Sequence, residues 1–192
     1  MHICPWCSTS YAQWQNKCDQ CGGSLAPPPG EGLGPKPPDA PRTLPKRYER
    51  RVKWTENIST MAGIIFAAVG SILFAVFVFV NIWMSLFPAF FAFGGICLFR
   101  LGWKKAKGIL FAYKYGKVAE GRIHKVSLDA TQSVNNVHPW LLVYHFPVGD
   151  QIYEGTLSTF DSTVELRTPG QPLWVLFNAA DPAESAIFPP LA

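Results

Sequence analysis

The sequence predicts a membrane protein of the α+β class, with a cysteine-rich N-terminal module, a two-helix transmembrane hairpin and a small β-barrel-like domain at the C-terminus. Three observations predict this arrangement. Two C-x-x-C pairs open the chain, no charged residue occurs from Asn57 to Phe99, and alternating β-branched and aromatic residues follow position 118. The 192 residues are 48% hydrophobic and only 16% charged, which is a high ratio for a soluble chain of this length.

The N-terminal module, residues 1–25, contains four cysteines in two C-x-x-C pairs: Cys4, Cys7, Cys18 and Cys21. Each C-x-x-C turn directs two thiolates at one point, and four thiolates are a ligand set that tetrahedral Zn²⁺ prefers. We therefore predict a zinc ribbon with these four cysteines as the metal ligands. Iron in a rubredoxin-like site uses the same ligands and is an alternative, as are redox-active thiols.

The segments around these cysteines resemble a known type of module. Met1-His-Ile-Cys-Pro-Trp-Cys7 and Lys17-Cys-Asp-Gln-Cys-Gly-Gly23 are similar to the short zinc ribbons at the N-termini of many prokaryotic membrane proteins. Those ribbons usually have glycine after the second cysteine of each pair, because the turn needs a positive φ or a close approach to the metal. Gly22 keeps this pattern and Ser8 departs from it, so we expect strain at Ser8 beside an intact ligand set.

The predicted linker, residues 26–53, changes from proline-rich to basic. Residues 26–45 contain eight prolines and three glycines, a composition that builds no core and favours extended chain. At about 3.1 Å per residue this segment reaches up to about 60 Å, so we expect a spacer that leaves the zinc ribbon free to move beneath a membrane. The alternative is a proline-rich ligand for the aromatic groove of a partner, around Pro35-Lys-Pro-Pro38.

The uncharged stretch from Asn57 to Phe99 predicts two membrane spans. Its 43 residues would form a helix about 65 Å long, roughly twice the hydrocarbon thickness of a bilayer, so the chain must turn back. Polar residues and a helix breaker between Asn81 and Pro88 mark the turn. We therefore predict a transmembrane helical hairpin over residues 57–103, with spans at about 58–80 and 86–103.

Charge predicts the orientation of this hairpin. Residues 42–117 have a net charge of +10, against −1 for residues 1–41 and −5 for residues 118–192, and the turn has no charge. The positive-inside rule then predicts a multi-pass protein of the cell (inner) membrane with both termini cytoplasmic. A reducing cytoplasm also argues against disulfides.

The segment after the second span, residues 104–117, is basic and is expected to form a juxtamembrane helix or an extension of the span. Its expected partner is the anionic surface of the lipid bilayer, and no nucleic acid is expected.

Small residues recur every four positions along the first span, at Gly63, Ala67, Ser71 and Ala75. Residues at this spacing form a flat stripe that lets another helix approach closely. The stripe is expected to pack either against the second span or against a second copy of the chain in a homodimer.

The C-terminal segment, residues 118–192, predicts a small β domain, because five short apolar segments alternate with turns. Strands are expected at 118–128, 140–146, 151–157, 173–177 and 186–188. Five short strands in about 75 residues favour a closed or half-closed barrel.

This domain contains several short motifs. They are Gly121-Arg-Ile, Leu142-Val-Tyr-His-Phe, Tyr153-x-Gly155, Pro169-Gly170, Leu173-Trp-Val-Leu-Phe-Asn and Asp181-Pro182-x-x-Ser185. Their order, over roughly residues 100–190, resembles a widespread bacterial family of unknown function in which a small β domain is attached to one or two membrane helices. The resemblance implies a fold and a membrane setting and contributes no catalytic residue. Asp181 stands where that family usually has asparagine.

The sequence contains no recognisable catalytic constellation. His124, His138 and His145 lack the spacing of a metal or catalytic site, and Cys97 is expected to pack inside the second span. We therefore expect no catalytic residue, no cofactor besides the metal, and a non-enzymatic, membrane-anchored protein. Its zinc ribbon and β domain are expected to bind a protein partner, as a scaffold or accessory subunit. The alternative is a rubredoxin-like or thiol redox component of a membrane complex.

Overall fold

The computed structural model describes residues 2–28, 32–55, 57–130, 133 and 136–191. Parts of the predicted zinc ribbon, linker and β domain, at residues 1, 29–31, 131–132, 134–135 and 192, lie outside the described residues, as does residue 56. The chain divides into two compact units. Met1–Tyr48 and Phe111–Ala192 together form one, which we call the head unit, and Glu49–Leu110 forms the other, which we call the hairpin unit.

The head unit contains a small two-stranded sheet and a larger five-stranded sheet. In the small sheet, β1 (His2–Ile3) pairs antiparallel with β2 (Ser10–Tyr11). The strands of the large sheet are β3 (Lys117–Leu128), β4 (Trp140–Val148), β5 (Gln151–Thr159), β6 (Pro172–Asn178) and β7 (Asp181–Phe188). Their order is β5-β4-β3-β6-β7, every neighbouring pair is antiparallel, and β5 comes close enough to β7 to make the sheet nearly closed.

The core of the large sheet follows from the alternation of side chains along β4. Leu142, Tyr144 and Phe146 point to the same face, because every second residue of a strand does, and all three are fully buried. They pack with apolar side chains of β3, β6 and β7 and with Val164, which lies in a 3₁₀ turn at Ser162–Leu166. The Tyr144 hydroxyl hydrogen-bonds to Ser185 Oγ at 3.0 Å, which satisfies the polar end of a buried ring.

All five predicted strands are present, and the last one is longer than predicted. It begins at Asp181 instead of residue 186, because Asp181 pairs with Asn178 across a two-residue turn. The Asp181-Pro182 motif is therefore the first part of β7. Proline is tolerated there because β7 is an edge strand in the hydrogen-bonding order.

The hairpin unit consists mainly of α2 (Ile58–Val80) and most of α3 (Ile82–Tyr115), and a short helix, α1 (Lys46–Arg50), precedes α2 in the chain. Both long helices are long and apolar enough to cross a membrane. Large apolar side chains project outward from both of them; Phe79 is 90% exposed and Trp83 is 78% exposed.

The turn between α2 and α3 is shorter than predicted. Asn81 alone separates the helices, and its N–H donates to Phe77 O while its Oδ1 accepts from Trp83 N at 2.9 Å. One residue therefore caps both helix ends. α3 then runs through Pro88 to Tyr115, so the predicted break between Asn81 and Pro88 is reduced to Asn81. The residues of the predicted second span, 86–103, lie within this longer helix. Pro88 is the seventh residue of α3, so its missing N–H removes one hydrogen bond within the helix without ending it.

The small residues of the hairpin pack mainly between its own two helices. A Cβ atom at Gly63 would lie 2.8 Å from Gly95 O, and one at Gly70 would lie 2.9 Å from Ala92 Cα. The antiparallel contact therefore requires glycine on both helices. Ser71 and Ala75 remain exposed, so the contact between α2 and α3 explains only part of the predicted stripe.

The proline-rich segment, residues 26–45, differs from the predicted spacer because it belongs to the head unit and is bonded to it. Arg167 Nη2 donates to Pro27 O at 3.2 Å, and Trp174 Nε1 donates to Gly34 O at 2.9 Å. A proline-rich chain makes few backbone hydrogen bonds of its own, so its carbonyl oxygens remain available to donors on another surface. Composition alone therefore does not distinguish a free spacer from a segment that lies along a domain.

Arg42 fixes the far end of this segment to the end of α3. Its Nη1 donates to Gly116 O at 2.9 Å and to Tyr113 O at 3.3 Å, and its backbone N–H donates to Lys114 O at 2.9 Å. The last carbonyl oxygens of a helix have no partner within the helix, and a cation there is favoured by the helix dipole. Burial lowers the pKa of this guanidinium, although nearby Asp39 favours the charged form.

Candidate metal centre

The two C-x-x-C pairs fold into two knuckles with the same backbone geometry. In the first knuckle, Cys4 N donates to Thr9 O and Ser8 N donates to Cys4 O, both at 2.8 Å. In the second, Cys18 N donates to Gly23 O at 2.8 Å and Gly22 N donates to Cys18 O at 2.7 Å. Both turns close through a residue with positive φ, +63° at Ser8 and +69° at Gly22. Ser8 therefore adopts the left-handed backbone that is costly for a residue with a side chain, as the sequence predicts.

The knuckles bring the four predicted ligands together. Cys4 Sγ lies 3.7 Å from Cys21 Sγ, Cys7 Sγ lies 3.5 Å from Cys18 Sγ, and all four sulfur atoms lie within 4.8 Å of one another. A tetrahedron with metal–sulfur bonds of about 2.3 Å has edges of about 3.8 Å. The sulfur positions therefore fit a four-thiolate metal site, and all four cysteines are free, not paired in disulfides.

Hydroxyl groups beside the cluster support thiolate ligands. The Tyr11 hydroxyl donates to Cys18 Sγ at 2.7 Å, and Thr9 Oγ1 lies within hydrogen-bond distance of Cys7 Sγ, at 3.1 Å. Hydrogen bonds to ligand sulfurs stabilise their negative charge and orient them.

The pKa values of these groups differ with their surroundings. Burial raises the pKa of Cys18, but the hydrogen bond from Tyr11 and one from the Cys21 N–H outweigh it and lower this pKa to about 6. The same hydrogen bond raises the pKa of Tyr11 to about 12, which keeps its hydroxyl protonated as a donor. Burial raises the pKa of Cys4 and of Cys21. Among Cys4, Cys18 and Cys21, Cys18 therefore forms a thiolate most readily in the metal-free cluster.

Trp6, which lies between the two cysteines of the first knuckle, is only 4% exposed. Its Nε1 donates to Ser24 O at 2.7 Å, just beyond the second knuckle. Its ring contacts three aromatic side chains, with centroid separations of 4.9 Å to Tyr48, 5.8 Å to Tyr113 and 6.2 Å to Phe188. We call Tyr48, Tyr113 and Phe188 the aromatic cage.

The sequence did not indicate this role for Trp6. One signal was available, because a large aromatic residue stood inside a C-x-x-C turn. A side chain of that size needs a buried surface to cover it, and the cage residues that supply it are 42 or more positions away along the chain.

Other candidate residues do not join the cluster. His124 lies at a β-bulge in β3 and stacks on His145 with 4.2 Å between ring centroids, and His145 Nε2 lies 3.1 Å from Glu154 Oε2. Parallel imidazole rings do not converge on one ion. Within the described part of the chain, the four cysteines are the one group of His, Cys, Asp or Glu side chains positioned to hold a metal, and neither Cys97 nor His2 belongs to it.

No family model, curated protein or solved structure matches this chain.

Proposed function

We propose that the protein is a non-enzymatic, membrane-anchored metalloprotein in which Cys4, Cys7, Cys18 and Cys21 hold a structural Zn²⁺. One observation carries the proposal, namely that four thiol sulfurs on two matching knuckles occupy positions close to the corners of a tetrahedron of metal–thiolate size. A site with four protein ligands leaves no position for water or substrate, which favours a structural role over a catalytic one.

The metal is best tested on the full chain purified in detergent without added zinc or iron. We expect about one equivalent of zinc per chain and no visible colour. Cys21→Ser should lose the metal, whereas Cys97→Ser, which removes a cysteine outside the cluster, should keep it. Metal-free wild-type protein that fails to take up zinc or iron would overturn the proposal.

A redox or electron-transfer role is the second candidate, and the exposure of two ligands favours it. Cys7 and Cys21 are half-buried, whereas Cys4 and Cys18 are fully buried, so one side of the cluster is open to a redox partner. Iron bound by the same four thiolates would give a coloured protein that is bleached by dithionite. Colourless zinc protein whose spectrum dithionite does not alter excludes this candidate.

The proposed location is the cell membrane, with α2 and α3 as the spans and both termini cytoplasmic. The two helices are long and apolar enough, and basic residues lie before α2 and in the second half of α3 but not around Asn81. Reporter fusions test this orientation. A fluorescent protein fused after residue 192 should fluoresce, because it lies in the cytoplasm. Alkaline phosphatase inserted at Asn81 should also be active, because this enzyme is active only on the far side of the membrane. The opposite pattern would contradict the proposed topology.

The proposed partners are the lipid bilayer and a protein bound by the head unit, for which the protein serves as a scaffold or accessory subunit. A homodimer through the exposed part of the α2 stripe remains a prediction. It is tested by disulfide crosslinking of Ser71→Cys in native membranes, with Ile82→Cys, on α3, as the matched exposed control.

A further inference from the structure

We propose that the metal controls the docking of Trp6 in the aromatic cage, so that metal loss releases the first knuckle and uncovers Tyr48, Tyr113 and Phe188. This inference rests on the proposed metal site. It assigns that site a regulatory consequence: the metal-bound protein hides an aromatic surface that the metal-free protein exposes.

The position of Trp6 depends on both knuckles at once. The indole belongs to the first knuckle, but its N–H donates to Ser24 O, and a Cβ atom at Gly23 would lie 2.7 Å from its Cγ. The second knuckle therefore forms the surface on which the indole lies. The two knuckles also meet at the four sulfur atoms, so a metal that holds those atoms together also holds the indole against the second knuckle.

The rest of the N-terminal module is too small to hold the knuckles together without a metal. β1 and β2 have two residues each, and the buried side chains of residues 2–25 are those of Cys4, Pro5, Trp6, Cys18 and Leu25. Modules this small generally need a metal or a disulfide to fold, and the binding free energy of the metal is then the folding free energy. Without the metal, we expect the two knuckles to separate and Trp6 to lose its support.

The cage that Trp6 covers joins three parts of the head unit. Tyr48 belongs to α1, Tyr113 to the end of α3 and Phe188 to the end of β7, and all three are at most 7% exposed. Tyr48 and Tyr113 also contact each other, with 5.5 Å between centroids, and the Tyr113 hydroxyl donates to Ile187 O at 2.7 Å. Removing the indole would open one side of the aromatic cage to solvent and loosen the contact between the end of α3 and β7.

The test is hydrogen exchange of the full-length protein in detergent, followed by mass spectrometry of peptides that cover residues 2–25, 111–116 and 186–188. Zinc-loaded protein is compared with protein stripped by a zinc chelator and with stripped protein reloaded with zinc. Metal removal should accelerate exchange by about tenfold or more in all three regions, and reloading should restore protection. The sheet core around Leu142 should exchange at the same rate throughout, as an internal control.

Two variants separate docking from metal binding. Trp6→Ala keeps all four ligands, so at saturating zinc it should bind one equivalent, yet residues 111–116 and 186–188 should exchange as fast as in stripped wild-type protein. Trp14→Ala removes an indole from the same module outside the cage, since Trp14 Nε1 donates to Ala26 O, and should behave like wild type in those two regions.

Three results would overturn the inference. If metal removal accelerates exchange only in residues 2–25, the metal site stands and the coupling to the cage is wrong. If zinc-loaded Trp6→Ala keeps wild-type protection near Tyr113 and Phe188, Trp6 does not couple the metal site to the aromatic cage. If the chain binds neither zinc nor iron, as measured by metal analysis of the same samples, the proposed function fails and this inference fails with it.

Discussion

The first knuckle, Cys4 to Thr9, and the second knuckle, Cys18 to Gly23, have matching backbone hydrogen bonds but different surroundings. Trp6 of the first knuckle is buried in the aromatic cage, whereas the equivalent residue of the second, Gln20, is exposed. The residues between the cysteines therefore face the protein in the first knuckle and solvent in the second.

This difference separates two properties that a C-x-x-C motif combines. The spacing of the cysteines determines where the sulfur atoms lie, and it is the same in both knuckles. The residues between the cysteines determine what the knuckle packs against, and these differ completely. Substitutions in the two knuckles should therefore be alike when they remove a ligand and unlike when they change the residues in between.

The largest expected effect comes from the ligands themselves. Cys4→Ser and Cys18→Ser, one in each knuckle, should both abolish stoichiometric metal binding, because a structural zinc site contributes on the order of 10 kcal/mol to the folding of a small module. Metal analysis and protease sensitivity of residues 2–25 measure the outcome. A variant of either knuckle that keeps one equivalent of tightly bound zinc would show that the four thiolates do not act as one site.

The next effect should be confined to the first knuckle. Trp6→Ala removes a buried indole, which typically costs about 3–5 kcal/mol, and folding and metal binding are coupled, so zinc affinity should fall by about a hundredfold to a few thousandfold. Gln20→Ala at the equivalent exposed position should change it by less than about threefold. Competition with a chelator of known affinity measures both. Equal effects of the two substitutions would show that the knuckles do not differ in docking.

Gly23→Ala tests the contact between the knuckles. A Cβ atom at this position would lie 2.7 Å from Trp6 Cγ, so the indole would have to shift out of its place against the second knuckle. Overpacking of this kind costs about 1–3 kcal/mol, and we expect zinc affinity to fall by about fivefold to a hundredfold. In the Trp6→Ala background the same substitution should have little effect, because the clashing ring is absent. If Gly23→Ala lowers zinc affinity equally in that background, the contact with Trp6 is not the cause of the loss.

The sequence contained enough information for local features and not for contacts between distant segments. The C-x-x-C spacing predicted the cysteine cluster, the alternation of apolar residues predicted the five strands, and the absence of charge predicted two long apolar helices. The strain at Ser8 was also predictable, because glycine is the usual residue at that position.

Two errors arose where context outweighs local preference. Pro88 suggested a helix break, but it falls near the start of α3, and Asn81 already caps both helices. The proline-rich segment suggested a free spacer because it cannot form a core. Its carbonyl oxygens nevertheless accept hydrogen bonds from Arg42, Arg167 and Trp174, and two of these donors lie about 140 residues away in sequence. No local pattern indicates which donor a carbonyl group will meet.

The smallest expected effect tests the turn that closes each knuckle. Gly22→Ser makes the second knuckle resemble the first at this position, and nothing lies within 4 Å of a Cβ atom there, so its cost comes from the positive φ alone. For a residue with a side chain this conformation costs about 1 kcal/mol, and zinc affinity should fall by about fivefold. If the affinity does not change, the second knuckle tolerates serine as readily as the first, and Ser8 adds no strain to the site. A much larger loss would mean that Gly22 has a contact with the metal cluster that the equivalent Ser8 lacks.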